Sequence, residues 1–229
     1  MTIFSFLRAR QRFVHEQSSR EGIDGFVVWA AAVDALGRIH AVRLGRSRKK
    51  SRQCFTAALL DLAPQHQLGR VSVPLMYHDI FAVAPCLREH PAFTAYRKAR
   101  GSSRQWTPPE DSIATAAIAK FCAPSPDLNR LYRNNVYADI LYIEYRCCAV
   151  HGLDLGRKTC NPFSERPEPH YMSYIYPPED PSPPEHRYRT RIVFPLAYLA
   201  TVLSDMIELE EQECAAANYV VPPYPTLDP

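Results

Sequence analysis

The chain has little glycine and no motif of a nucleotide-binding enzyme. Only 8 of its 229 residues are glycine, whereas 21 are proline. There is no GxSxG sequence, no Walker motif and no dinucleotide-binding fingerprint. The scarcity of glycine argues against loops whose backbone closely surrounds a phosphate group. We therefore expect no cofactor.

Membrane spans and disulfide patterns are also lacking. The longest apolar run, Phe26 to Val33, is too short to cross a bilayer. The N-terminus lacks the order of charged and apolar residues found in a signal peptide. The seven cysteines contain no CxxC pair and lie mostly in apolar segments, as buried reduced thiols do. We expect a cytoplasmic protein that does not bind membranes.

Charge is distributed unevenly along a chain of otherwise ordinary globular composition. Hydrophobic residues make up 46% and charged residues 22%, which excludes a disordered chain and a coiled-coil rod. Residues 1–104 carry 17 basic and 7 acidic side chains, whereas residues 105–229 carry 10 and 17. The basic half would attract nucleic acid or an acidic protein surface. Alternatively, the two halves attract each other.

Residues 1–104 predict a basic α+β unit built on a β-hairpin. The continuous apolar run from Gly25 to Asp34 is typical of a strand buried on both faces, and Ala35-Leu36-Gly37 would turn it back into a second strand at 38–44. Val71 to Tyr77 predicts an edge strand, because Pro74 cannot donate to a ladder. Helices are predicted at 3–19, 51–62, 79–87 and 91–100.

Residues 105–152 predict a helical hairpin. Thr107-Pro108-Pro109-Glu110 is a capping box with proline at the first helical position, and Ser125-Pro126-Asp127 starts a second helix by similar chemistry. The first helix would run to about Cys122 and the second to Gly152. On the first helix, the residues predicted to face inward are Ile113, Ala116, Ala117 and Phe121.

The remaining residues predict a loop, a strand and a last helix. Residues 153–186 read as a Pro/Tyr-rich loop, because eight prolines fall between Asn161 and Pro184. Residues 187–229 predict a strand at 187–193, a helix from Pro195 and an extended tail. That helix ends in acids, Glu208 to Glu213, where the helix dipole disfavours negative charge.

The predicted fold class is α+β. A small sheet built on a β-hairpin would pack with helices in the N-terminal half, and a helical hairpin plus a C-terminal helix would form the back half. The boundaries of the four segments are 1–104, 105–152, 153–186 and 187–229, and all four could belong to one domain.

Two basic segments are the candidate binding sites. The first is a loop that could follow a phosphate backbone, and the second ends in a tryptophan that could stack on a base. Solvated charge without a partner is the alternative explanation for both. The candidate residues are Arg43, Arg46, Arg48, Lys49, Lys50 and Arg52 in the first segment, and Arg97, Lys98, Arg100, Arg104 and Trp106 in the second.

The tyrosines of the proline-rich loop suggest a protein interface. Tyrosine gives a large contact area at a small cost in side-chain entropy, and proline stiffens the loop before binding. The candidate interface residues are Tyr171, Tyr174 and Tyr176. The alternative is that these residues hold the loop against its own domain.

Metal and enzyme sites are weaker alternatives. Cys148, His151, Cys160 and His170 offer zinc-ligand atoms, but their spacing matches no established zinc pattern, so we predict no metal. A nuclease would use His40 and His78 as acid and base, or converging carboxylates among Asp24, Asp34 and Asp79 with a metal ion. No local motif supports either arrangement, and we predict no catalytic residue.

The sequence thus predicts a non-enzymatic protein whose basic N-terminal half binds nucleic acid or a nucleoprotein complex. The first alternative is a protein–protein inhibitor that blocks or disassembles a nucleic-acid-handling complex, as proteins of mobile elements do against host defence; this rests on analogy with that class. The second alternative is a small nuclease. The sequence leaves open the identity of the partner, the choice between DNA and RNA, and the oligomeric state.

Overall fold

The computed structural model describes residues 2–19, 23–46, 50–102, 104–148, 151, 156–159, 166–175 and 188–221. These residues are mostly helical and include a small two-stranded antiparallel sheet. The helices are α1 (Ile3–Gln17), α2 (Asp24–Arg43), α3 (Ser51–Leu62), α4 (Val73–Val83), α5 (Thr94–Gly101), α6 (Pro108–Cys122), α7 (Pro126–Arg133), α8 (Tyr137–Ile140, continuing as a π-helix over Leu141–Cys147) and α9 (Leu196–Ala216). The strands are β1 (His170–Ile175) and β2 (Tyr188–Val193).

The predicted N-terminal β-hairpin is wrong, because residues 24–43 form the single helix α2. This helix packs against α1, α3 and α9, and buries Trp29, Val33 and Leu36 completely. A segment buried on several sides shows no clear apolar periodicity, so a core helix resembles a buried strand in sequence. The alanines of this segment favour the helix, and the sheet therefore does not begin in the N-terminal half.

Gly37, predicted to form the hairpin turn, instead lets two helices approach each other. A Cβ atom at this position would lie 2.7 Å from the carbonyl oxygen of Cys54 in α3. Because that obstacle is backbone, it cannot turn aside as a flexible side chain could. Glycine is therefore required here by helix packing rather than by a turn.

Membrane-span criteria identify α2 among the described residues. Its length and composition would suffice to cross a bilayer, and it lies near the N-terminus. Most of the helix is buried within the protein, as in the core helix of a globular domain. The hydrophobic core in which it lies continues from Phe4 in α1 to Cys214 in α9.

Val71 to Tyr77 does not form the predicted edge strand. Val71 makes an isolated bridge to Val136, and α4 begins at Val73. Pro74 lies in the first turn of α4, where its missing N–H has no helical acceptor. The predicted helices at 79–87 and 91–100 are correspondingly displaced: α4 ends at Val83 and α5 begins at Thr94, with 3₁₀ turns at Pro85–Glu89 and Pro91–Phe93 between them.

The helical hairpin is confirmed at its capped ends but not along its whole length. Thr107 and Glu110 form the predicted capping box, and Ser125 accepts a hydrogen bond from the Leu128 amide. The second helix stops at Arg133, and α8 begins at Tyr137. The predicted inward face of α6 is also wrong in part, because Ile113 is 84% exposed and Ala116 and Ala117 are exposed beside it.

The sheet lies in the back half of the chain. The strand predicted at 187–193 is confirmed as β2, and it pairs antiparallel with β1, in register from His170 with Val193 to Ile175 with Tyr188. β1 falls within the segment predicted to be a loop. The predicted helix from Pro195 is confirmed as α9, which packs on α1 and α2 and so joins the two ends of the chain.

Candidate functional site

Arg43, the first candidate cation, lies inside an ion cluster. Its side chain is 9% exposed. Nε and Nη2 donate to the two carboxylate oxygens of Glu210 at 2.9 and 3.0 Å, and Nη1 donates to Glu213 at 3.2 Å. This forked geometry is the strongest that an arginine and a carboxylate form. The guanidinium charge of Arg43 is therefore neutralised within the molecule and does not face solvent.

His40 binds the same glutamate from the neighbouring turn of α2. Its Nδ1 lies 2.9 Å from Glu210 Oε2, and its Nε2 lies 3.0 Å from Asp61 Oδ2. Burial alone would lower the pKa of His40, but the two carboxylates outweigh it and the pKa is raised. Because both ring nitrogens face carboxylates, these contacts favour the imidazolium form of the ring. Neither nitrogen is left to act as a general base.

The rest of the first basic segment is divided between paired and exposed side chains. Arg46 is 55% exposed, and Nη1 donates to Asp61 at 3.2 Å. Arg52 donates to Asp139 at 2.8 Å and to Asn134 at 3.1 Å. Lys50 is exposed, and none of the described residues forms an ion pair with it. Arg48 and Lys49 lie outside the described residues.

The second basic segment is divided in the same way. Arg97 pairs with Glu89, and Arg104 donates to Glu110 at 2.6 Å. The structure shows no ion pair for Lys98 or Arg100 within its described residues, and both side chains are exposed on α5. Between them, Ala99 packs into the core, so the backbone of α5 is fixed beneath the two cations.

Trp106 is not available to stack on a base. Its side chain is buried, and Nε1 donates to Asp111 Oδ1 at 2.7 Å. Asp111 also accepts a hydrogen bond from the Val73 amide at 3.1 Å, from the Tyr137 hydroxyl at 2.6 Å and from the Tyr171 hydroxyl. Burial raises the pKa of Asp111 to about 6 even though four donors face it.

Tyr171, predicted to contact a partner, is part of this buried network. Its hydroxyl donates to Asp111 and is 2.8 Å from the Ser72 hydroxyl. The network thus ties β1 to α6 and to the start of α4, which is the alternative role that the sequence left open. The structure describes the backbone of Tyr174 but not its side chain, and Tyr176 lies outside the described residues.

Charges of opposite sign from the two halves meet within the molecule. Arg8 in α1 pairs with Glu211 in α9, and His66 lies 2.7 Å from Asp205 in α9. The pairs formed by Arg43, Arg52 and Arg104 also join a basic residue of the first half to an acidic residue of the second. Four arginines of the first half thus pair with acidic residues of the second half, and the uneven charge distribution along the sequence is compensated in part.

The residues proposed for a nuclease do not converge. His40 lies between carboxylates of α3 and α9, whereas His78 is half-exposed on α4 beside Asp79, with 3.9 Å between Nδ1 and Oδ1. Asp79 accepts hydrogen bonds from Lys158 at 2.7 Å and Asn135 at 2.8 Å. Burial alone would raise the pKa of Asp79, but the His78, Lys158 and Asn135 contacts lower it to about 2.

The carboxylate and zinc arrangements are not assembled either. Asp34 accepts a hydrogen bond from Arg146 Nε at 2.9 Å and lies 2.8 Å from Arg146 Nη2, and so forms a separate ion pair. Within the described ranges, no group of three His, Cys, Asp or Glu residues could hold a metal ion. Cys160, one of the proposed zinc ligands, lies outside these ranges.

A pocket of about 300 Å³ opens between α2 and α3, beside His40 and Arg46. Sequence reasoning missed this pocket and also the acids Asp61 and Glu210, which fix His40. One available signal was the acidic end of α9. Negative charge at a helix C-terminus is unfavourable unless a cation faces it, and Arg43 and His40 provide that cation.

Comparisons with known proteins add no assignment: no protein-family model, curated protein or solved structure matches the chain. The function must therefore be argued from the residues themselves.

Proposed function

We propose that the protein is a non-enzymatic macromolecule-binding protein of the cytoplasm that engages nucleic acid, or a nucleoprotein complex, through exposed cations of its two basic segments. The observation that supports this proposal is the division of those segments into paired and unpaired side chains. Lys50, Lys98 and Arg100 are exposed, and none of them has an ion-pair partner among the described residues. These three cations are free to displace counterions from a phosphate backbone.

The division of the two basic segments into paired and unpaired cations changes which residues are expected to bind nucleic acid. Arg43 would have to leave Glu210, a fully buried carboxylate, before it could contact a phosphate. The buried carboxylate would then keep only His40 as a partner, which would be strongly unfavourable. Arg46 is different, because its bond to Asp61 is exposed on both sides and is easily exchanged. We therefore assign binding to Arg46, Lys50, Lys98 and Arg100, and assign a structural role to Arg43.

Fluorescence anisotropy with labelled 30-nucleotide single-stranded and duplex DNA and RNA tests the proposal. We expect binding at low salt that weakens at least about tenfold in the triple variant Lys50→Ala, Lys98→Ala, Arg100→Ala. The matched control removes the same charge elsewhere on the surface, at Arg12 in α1, Lys120 in α6 and Arg133 in α7, all exposed. Absence of binding at low salt, or an equal loss in the control, would refute the proposal.

The outward face of α6 favours the inhibitor as a second candidate. Ile113 is 84% exposed, and Ala116 and Ala117 are exposed on the same side. An apolar helix face of this kind would press on a protein component of a nucleic-acid-handling complex. In that case, Ile113→Glu would abolish capture of such a complex from lysate while leaving DNA and RNA anisotropy unchanged. If the complex is still captured by Ile113→Glu, this face of α6 is not the contact surface.

A further inference from the structure

The pocket between α2 and α3 combines an apolar floor with a polar rim. Its volume is about 300 Å³, which is at the lower end of the range for small-molecule sites. The residues that line it are Gly37, His40 and Ala41 from α2, Arg46 from the segment after α2, and Gln53, Cys54 and Ala57 from α3. The small side chains of Ala41 and Ala57 leave space beside the close contact of the two helices at Gly37.

The charges around the pocket are fixed on one side and exchangeable on the other. His40 is held by Glu210 and Asp61 on both ring nitrogens, so the ring is fixed at the inner wall with two carboxylates that balance its charge. Arg46 reaches Asp61 with one nitrogen at 3.2 Å, and both partners of this bond are about half exposed. An exposed pair of this kind contributes little stability, and a guanidinium has five N–H donors. Arg46 can therefore turn to a ligand while Asp61 keeps its bond to His40.

Cys54 contributes surface to the pocket but is a poor nucleophile. Burial raises the pKa of its thiol, which disfavours the reactive thiolate. His40 has no free nitrogen with which to take the thiol proton. The pocket is therefore suited to binding a ligand rather than to covalent chemistry on it.

We propose that this pocket binds a small organic monoanion with a flat apolar body, such as an aromatic carboxylate. The carboxylate would lie at the rim, where Arg46 binds it as a fork and the Gln53 amide donates a further hydrogen bond. The apolar body would rest on Ala41, Cys54 and Ala57. A cationic ligand is disfavoured at this position, because it would meet the half-exposed guanidinium of Arg46. Arg46 is shared with the proposed nucleic-acid surface, but ligand binding in this pocket does not require nucleic acid.

Titration with benzoate, followed by two-dimensional amide NMR on the whole chain, tests the site. We expect benzoate to shift the amide signals of Gly37, Cys54 and Ala57 at millimolar concentration. Benzamide, which has the same shape without the charge, should bind at least about tenfold more weakly, since hydrogen bonds to a charged group are the stronger ones. Equal affinity for the two compounds, or no shift at these three amides, would overturn the proposal.

Two variants separate the charge of the site from its shape. Arg46→Gln should remove the preference for benzoate over benzamide. Ala57→Leu should abolish binding of both by filling the pocket, and Ala57 is only half-buried, so the larger side chain can be accommodated. Arg12→Gln on the exposed face of α1 is the matched control and should leave both affinities unchanged. Unaltered benzoate binding in Arg46→Gln would contradict the assignment of the rim.

Discussion

Replacing Glu210 by glutamine removes the negative charge that holds two cations in the core. The side chain of Glu210 is fully buried and accepts hydrogen bonds from His40 at 2.9 Å and from Arg43 at 2.9 and 3.0 Å. Burial alone would raise the pKa of Glu210, but the contacts with His40 and Arg43 lower it. The ionised carboxylate is therefore the form that stabilises the cluster.

The expected loss follows from what the substitution leaves behind. The glutamine oxygen can accept from only part of this set, and its NH₂ group faces a donor. Removing one partner of a buried ion pair typically costs about 3–5 kcal/mol. Since the substituted side chain keeps its shape and one acceptor, we expect Glu210→Gln to lower the free energy of unfolding by about 3 kcal/mol. For a chain of this size, that corresponds to a fall in Tm of about 6–12 °C.

Urea unfolding at pH 7 measures this change, with intrinsic fluorescence as the probe, because both tryptophans, Trp29 and Trp106, are buried. Glu211→Gln is the matched control: it lies next in sequence on α9, and its partner Arg8 is about half exposed. An exposed pair of this kind should contribute less than about 1 kcal/mol. A loss of less than 1 kcal/mol in Glu210→Gln, or equal losses in both variants, would refute the reasoning.

Three further substitutions or conditions test other parts of the structure. Because the pKa of His40 is raised in the folded state, protonated His40 stabilises the fold. This contribution is complete below pH 6.5 and should be lost as the pH rises through the folded-state pKa. Urea unfolding between pH 6 and 9 should show this loss of stability in the wild type and not in His40→Gln. Gly37→Ala should lower the free energy of unfolding by about 1–3 kcal/mol, because the added methyl meets the backbone of Cys54, and a Tm within 2 °C of the wild type would contradict this. Asp111→Asn should lower stability by about 2–4 kcal/mol, because asparagine keeps one acceptor oxygen, so either the two tyrosine hydroxyls or the Val73 and Trp106 N–H groups lose their acceptor; unchanged thermal unfolding would show that the network is dispensable.

Local chemistry predicted where several helices begin. Thr107 and Ser125 cap α6 and α7 with side-chain oxygens, and proline precedes or opens α6, α7 and α9. These signals act within four residues of the helix end, so they can be read without knowledge of the fold. The length of the second helix of the hairpin could not be predicted in this way, because it depends on a contact with a distant residue. It is interrupted at Asn135, which is buried and bonded to Asp79 in α4.

The errors arose where distant residues decide the structure. The apolar run that forms α2 is buried on several sides, and its periodicity could not distinguish a helix from a strand. β1 exists because β2 pairs with it across the intervening segment, although the region around it is rich in proline. Arg43 and Glu210 are 167 residues apart, so their pairing could not be inferred from position along the chain.

The two basic segments of the candidate binding site were predicted from the sequence, but the exposure of their individual side chains was not. The sequence identified two basic segments, and the structure shows which of their described side chains remain exposed. Trp106 and Tyr171 had the residue types of an interface, but both are bonded to the same buried carboxylate. Burial of an aromatic residue depends on the packing of distant elements, which composition does not reveal.

The salt dependence of nucleic-acid affinity tests most directly the central claim, that intramolecular ion pairs neutralise five of the eight described cations of the basic segments. If binding uses three or four exposed cations, the logarithm of the association constant for duplex DNA should fall with the logarithm of salt concentration with a slope of about −3. A slope of about −8 or steeper would mean that side chains such as Arg43 leave their carboxylates to bind DNA, and a slope near zero would mean that these cations do not contact phosphates. Either result would contradict the account.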